Sequence, residues 1–178
     1  MNLWHDITIG KNAPEEMNCI IEIPKGSHNK YEIDKETGLI KLDRANYGAA
    51  AYPVDYGFVP QTLWEDGDAI DVLLLSTFPI GTGILVNARP VAVMEMIDDG
   101  ESDYKIIAVP VDDRRWDDVK DLQDLNKHSL KELQDFFTNL KNLKGKPVVV
   151  KVDGFKGKKE AIEAIKKSQK LYADKFGK

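Results

Sequence analysis

Asp66, Asp68 and Asp71 fall within six residues, in the run Glu65-Asp66-Gly67-Asp68-Ala69-Ile70-Asp71-Val72. Gly67 suits a sharp turn, and Asp71 opens an apolar run in which a period of two puts it on one face with Leu73 and Leu75. A carboxylate facing a semi-buried interior needs a partner, and a divalent cation is a good one. Three carboxylates around a tight turn suit oxygen-only coordination of Mg²⁺ or Mn²⁺. Read alone, the run also fits an acidic hairpin turn with solvated side chains. The spacing after Asp71 is not that of an EF-hand loop.

A second acidic run spans Asp98-Asp99-Gly100-Glu101-Ser102-Asp103-Tyr104-Lys105. Alone it reads as an exposed hairpin loop. Yet Asp103 and Lys105 share a strand face, with Tyr104 and Ile106 opposite, and a carboxylate beside an ammonium can hold a metal and an anion together. The same alternation sets Glu22 apart from Ile21 and Ile23, and puts Lys30, Glu32 and Asp34 on one face with Tyr31 and Ile33 on the other. Taken singly, each is the polar outer face of an antiparallel sheet. Repeated on successive strands, they point charge into one shared cavity. Asp43-Arg44 then precedes Tyr52-Pro53-Val54-Asp55-Tyr56-Gly57, where Pro and Gly suggest a fixed loop presenting phenolic hydroxyls. Tyr, Arg and Lys side chains all donate to phosphate oxygens. The competing reading is tyrosine packed as core against proline, which fits Tyr52 better than Tyr56.

The elements that must position these groups are β-rich up to about residue 110. β-Branched and apolar runs at Cys19–Ile23, Lys30–Ile33, Ile40–Leu42, Ile70–Leu75, Ile84–Val86, Val91–Met96 and Tyr104–Val109 are cut by glycine and proline turns. The period then changes. Ser129 and Glu132 fit a capping box, Leu130, Leu133, Phe137 and Leu140 follow helical spacing, and Gly145 and Pro147 end the pattern. A strand at Val148–Val152 follows. A last helix carries Ile162, Ile165, Gln169, Tyr172 and Phe176, with Gly177 ending it. Helices beside strands, rather than alternating with them, favour an α+β fold: a closed or nearly closed β-barrel with two main flanking helices near the C-terminal part. No linker stands out, so residues 1–178 read as one domain.

Composition narrows the function. Lys and Arg number 25 against 30 Asp and Glu, a formal charge of −5, so no basic nucleic-acid footprint is present. No apolar run approaches the ~20 residues that span a bilayer, and the N-terminal residues lack the pattern of a secretory signal. Cys19 is the only cysteine, which excludes an intrachain disulfide and fits a reducing cytosol. His5, His28 and His128 show no metal-ligand spacing and read as surface residues. Trp116, Phe136 and Phe155 fit either core or an interface. Acidic metal ligands interleaved with Lys and Arg donors on a small barrel suggest metal-assisted phosphoryl hydrolysis.

In order and spacing, Ile21-Glu22-Ile23-Pro24, Lys30-Tyr31-Glu32-Ile33-Asp34, Asp43-Arg44, Tyr52 to Gly57, Asp66 to Val72 and Asp98 to Lys105 closely resemble the family I soluble inorganic pyrophosphatases of the compact bacterial type. The likeness runs from about residue 14 to the last helix. It implies an OB-like five-stranded barrel, several Mg²⁺ ions (with Mn²⁺ or other divalent ions as substitutes), and hydrolysis of pyrophosphate to two phosphates by a metal-activated hydroxide. It further implies a cytoplasmic homohexamer that removes the pyrophosphate released in biosynthesis. Carried over by residue, Asp66, Asp71 and Asp103 would hold the first metal, Asp71 bridging to a second. Asp98 and Asp103 would hold one arriving with substrate, and Glu22 would reach another through water. Lys30, Arg44, Tyr56, Lys105 and Lys141 would contact phosphate, and Asp68 would be the general base. Glu32, Tyr52 and Asp55 would support the cavity. Two positions depart from the family pattern: Ala69 replaces the usual Pro or Glu, and Leu140 replaces a phosphate-contacting Tyr before Lys141. The rival class is an OB-like module binding nucleic acid or a phosphate ligand, which would need exposed aromatics and a basic groove. Another rival is a phosphohydrolase acting on nucleotides or polyphosphate, which a substrate panel separates. The expected partners are therefore pyrophosphate, phosphate and other copies of the chain, with no nucleic acid and no membrane.

Overall fold

The computed structural model describes residues 1–177. In chain order it holds β1 (Met17–Ile23), β2 (Asn29–Ile33), β3 (Ile40–Ala45), β4 (Asp55–Phe58), β5 (Asp71–Leu74), β6 (Leu85–Asp98), β7 (Glu101–Ser102) and β8 (Lys105–Pro110). Two short 3-10 turns follow, then α1 (Lys127–Asn139), β9 (Val150–Gly157) and α2 (Lys158–Phe176). The expected ring is present: β1 pairs with β4, β4 with β5, β5 with β8, β8 with β6, and β6 back with β1. The β5–β8 pair is parallel and the other four pairs of the ring are antiparallel. β7 and β9 extend β6, while β2 and β3 form a separate two-stranded hairpin.

Four departures from the sequence expectation have local causes. Tyr56 belongs to a strand rather than a loop. Gly57 misled the pattern because it is there for closeness: a Cβ would lie 2.1 Å from the Ile20 carbonyl oxygen of the neighbouring strand. The runs at Ile84–Val86 and Val91–Met96 are one strand, β6, whose proline is absorbed by a register shift between Pro90 and Ala92. β9 continues past Val152 to Gly157, through an irregularity that leaves Gly154 at φ +142°. The cap of α1 is Asn126, whose side chain accepts the His128 and Ser129 N–H groups, so Ser129 lies inside the helix. The end of α2 matches expectation, with Gly177 left-handed at φ 69°.

Alternation along the ring strands feeds two apolar clusters. Val72, Leu74, Ile106 and Ala108 pack with Ala161, Ala164 and Ile165 of α2. Leu73, Ile107, Met94 and Ile23 pack with Leu133, Phe136 and Phe137 of α1. Asp71 and Lys105 have the parity of the second set, which aims both toward the α1 side. At β1 the alternation is broken. Ile21 joins the first cluster and Ile23 the second, because the register shifts between them and Glu22 occupies the bulge. His5 is also more than a surface residue: it stacks on Trp4 at 4.5 Å and meets the Tyr172 hydroxyl at 2.7 Å.

Candidate active site

A cavity of about 660 Å³ opens where the hairpin, the two acidic turns and the end of α1 meet. Every residue expected in the site lines it except Asp55. Asp55 is fully buried nearby, and its carboxylate accepts the Lys25 and Ile80 N–H groups and the Ser76 hydroxyl, so it fixes loops and does not face the cavity.

Lys105 sits at the floor, 3% exposed. Its Nζ donates to Asp71 Oδ2 at 2.7 Å, to Asp103 Oδ1 at 2.8 Å and to the Tyr56 hydroxyl at 2.9 Å. Burial opposes the ammonium, but Asp103 and Asp71 outweigh it and hold Lys105 protonated well above the usual lysine range. Burial lifts the Tyr56 phenol, with Asp71 adding to it. Tyr52 meets Tyr56 edge-on at 5.8 Å and Phe136 at 5.0 Å, and burial pushes its phenol to about 12. The alternative of Tyr52 as core is what its 3% exposure shows, although its edge still borders the cavity.

The two acidic turns bring the remaining carboxylates in. Asp66 Oδ1 accepts the Asp68 N–H at 3.0 Å, and burial, then neighbouring Asp71 and Asp103, raise the Asp66 carboxyl to about 7. Asp68 stands at the mouth, half exposed, paired with Lys35. Glu22 is 5% exposed and accepts the Ile33 N–H at 2.7 Å; burial and the charge on Asp71 push it to about 8. Asp98 pairs with Lys141 through Oδ2, while its buried Oδ1 has no hydrogen-bond partner. On the hairpin, Lys30 bonds Glu32 at 2.7 Å and Asp43 at 2.9 Å, and Asp43 also takes Arg44 at 2.8 Å. Sequence reasoning assigned no role to Lys35, on the turn after β2, or to Asp43. Asp43 was visible only as the neighbour of Arg44, and Lys35 only as one charge in a run.

Among the described residues no three acidic or imidazole side chains already converge as a cation cage. The Lys105 ammonium stands between Asp71 and Asp103 instead. The donor set nevertheless fits a hard divalent ion: it is all oxygen, one buried carboxylate oxygen on Asp98 is unused, and Asp66 and Glu22 resist ionisation as they stand.

Fold and site together define a small-barrel hydrolase that handles dense phosphate anions. The comparisons agree. A family model described as inorganic pyrophosphatase matches residues 19–173. The chain is 46% identical to the inorganic pyrophosphatase of Haloferax volcanii, covering 99% of each chain. It is 47% identical to soluble inorganic pyrophosphatase 1 of Arabidopsis thaliana, covering 96% of this chain and 80% of that one. The crystal structure of the Thermus thermophilus inorganic pyrophosphatase superposes with a TM-score of 0.93 at 42% identity, over 97% and 99% of the two chains. The chain belongs to the inorganic pyrophosphatase family, and it is a metal-dependent hydrolase of pyrophosphate. No described helix is long and apolar enough to cross a membrane.

Proposed function

We propose that the cavity cleaves pyrophosphate with Asp68 as general base, Lys30, Arg44, Tyr56, Lys105 and Lys141 as phosphate donors, and Mg²⁺ (or Mn²⁺ in its place) held by Glu22, Asp66, Asp71, Asp98 and Asp103. The observation that supports this most is the floor, where one buried ammonium is shared by two carboxylates and a phenol. Groups of both signs packed this closely suit an anion that arrives with cations.

When bound, the metal ions neutralise phosphate charge and lower the pKa of the attacking water. The chain's own groups do the rest. Asp68 leaves Lys35 and accepts a proton from the attacking water, whose oxygen bonds to one phosphorus as the bridging P–O bond breaks. The bridging oxygen departs with its electron pair on the second phosphate. Lys105 exchanges carboxylate oxygens for phosphoryl oxygens, and Lys30 and Arg44 close from the hairpin. Glu32 and Tyr52 hold Lys30 and Tyr56 in place. We further propose a cytoplasmic homohexamer, for which light scattering should report six copies of a 20.0 kDa subunit.

Purified protein with excess Mg²⁺ should release phosphate from pyrophosphate rapidly, and release no faster than background would refute the assignment. Asp68→Asn should lower turnover by about 10²–10⁴-fold while calorimetry shows Mg²⁺ binding largely retained. Lost binding with an intact metal-saturated rate would remove the base role.

A further inference from the structure

The two acidic turns are 38 positions apart where one side chain joins them. Trp64 closes the first turn with its backbone: its N–H donates to the Asp68 carbonyl at 2.6 Å, and its own carbonyl accepts the Gly67 N–H at 3.0 Å. Its indole reaches the second. Nε1 donates to Ser102 Oγ at 3.2 Å, and the ring stacks on Tyr104 at 5.1 Å and 27°. Ser102 and Tyr104 are the two neighbours of Asp103. From α2, the Lys167 ammonium lies 4.8 Å from the indole centre and pairs with Glu65.

We propose that Trp64 is a positioning residue, a strap that sets the Asp66–Asp68 turn in register with Asp103, with Ser102 and Lys167 fixing its indole. This rests on the metal-site reading above. Asp66 and Asp103 belong to different turns, so the spacing between the two carboxylates depends on what joins those turns. A hard cation such as Mg²⁺ tolerates little variation in ligand placement, so a tie between the turns acts on affinity. Groups that orient ligands without touching the metal change affinity or activity by about 10–100-fold in other sites. Trp64 is 4% exposed and also packs with Val59 and Ile70, so a purely structural role is the competing account.

The two accounts separate in a calorimetric titration of MgCl₂ into pyrophosphate-free protein, alongside thermal melts. Trp64→Phe keeps an aromatic ring but loses Nε1–H, and Ser102→Ala removes the acceptor without touching the core. Each should weaken the first Mg²⁺ by about three- to tenfold, the value of one hydrogen bond. Ser102→Ala should have no further effect in the Trp64→Phe background, and Ser102→Thr, which retains a hydroxyl, should restore affinity. Turnover at saturating metal should fall by less than affinity does. Wild-type affinity in Ser102→Ala, or the same loss from it whether or not Trp64 is present, would overturn the strap. A wild-type protein that binds no Mg²⁺ would instead refute the site reading beneath it.

Discussion

Lys105 and Lys30 border one cavity from different supports. Lys105 stands on β8 inside the closed ring, 3% exposed, between Asp71 and Asp103. Lys30 stands on the β2–β3 hairpin, with its side chain 25% exposed, between Glu32 and Asp43. In both, burial opposes the charge and paired carboxylates restore it. The ring strands have paired neighbours on both sides, while the hairpin pairs only within itself. The ring therefore fixes its charges as part of the fold, and the hairpin offers charges that water already reaches. The same residue type is built into the ring in one place and stands on a separate hairpin in the other.

Removing each ammonium is the strongest way to break this contrast. Lys105→Ala leaves two partly buried carboxylates without their cation and should cost about 3–5 kcal/mol of metal-free stability at neutral pH. Lys30 is a quarter exposed, and its partners Glu32 and Asp43 are reached by water as well, so Lys30→Ala should cost less, about 1 kcal/mol. Urea unfolding in chelator measures both, and equal losses would show that the ring and the hairpin support their charges alike.

Much of the site was legible because charge alternates with the strand period. Asp71 is oriented with Leu73 as period two requires, and Asp103, although it lies in the turn before β8 rather than on a strand face, still meets Lys105 at 2.8 Å, so motif and face could be read together. The illegible parts are those where tertiary packing overrides local pattern. Gly57 looks like a turn signal, yet it is a strand residue thinned to let β1 pass. Glu22 obeys alternation in sequence but sits at a bulge. Asp55 has the residue type of a site carboxylate, but three donors from loops far along the chain claim it. Lys35 reaches Asp68 only once the hairpin folds over the first acidic turn.

Titration sharpens the contrast next, because the carboxylates on β1 and in the first acidic turn shift one way and Asp34, in the hairpin's turn, shifts the other. Glu22 is raised to about 8 and Asp66 to about 7, while the half-buried Asp34, bonded to Thr37 and Lys41, is lowered to about 2. A raised carboxylate binds its proton more tightly in the folded state than in the unfolded one. Its contribution is whole below the ordinary carboxylate range and is lost as pH climbs through the folded value. Metal-free protein should therefore lose stability from about pH 5 to pH 8.5, whereas Asp34 contributes only to losses below about pH 4. Glu22→Gln should narrow the difference in Tm between pH 5 and pH 8.5 by about 3 °C or more. An unchanged difference would mean that Glu22 is ionised in the folded chain.

The smallest effect concerns a third support, the end of α1. Leu140 is its C-cap residue and lines the cavity beside Lys141, whose ammonium pairs with Asp98. The resemblance read from the sequence implies a phenol at this position, and here the side chain can donate nothing. Lys141 is therefore the one donor this helix end offers through those two residues, and it is held by Asp98. Leu140→Tyr supplies a second donor at the edge of the second apolar cluster. Product inhibition reads the result directly, because phosphate meets the same donors without the chemistry. The inhibition constant for phosphate should fall by about tenfold, the low end of what one added hydrogen bond to an anion allows. An unchanged constant would show that the ring and hairpin donors already satisfy the departing phosphate, leaving the helix end a spacer.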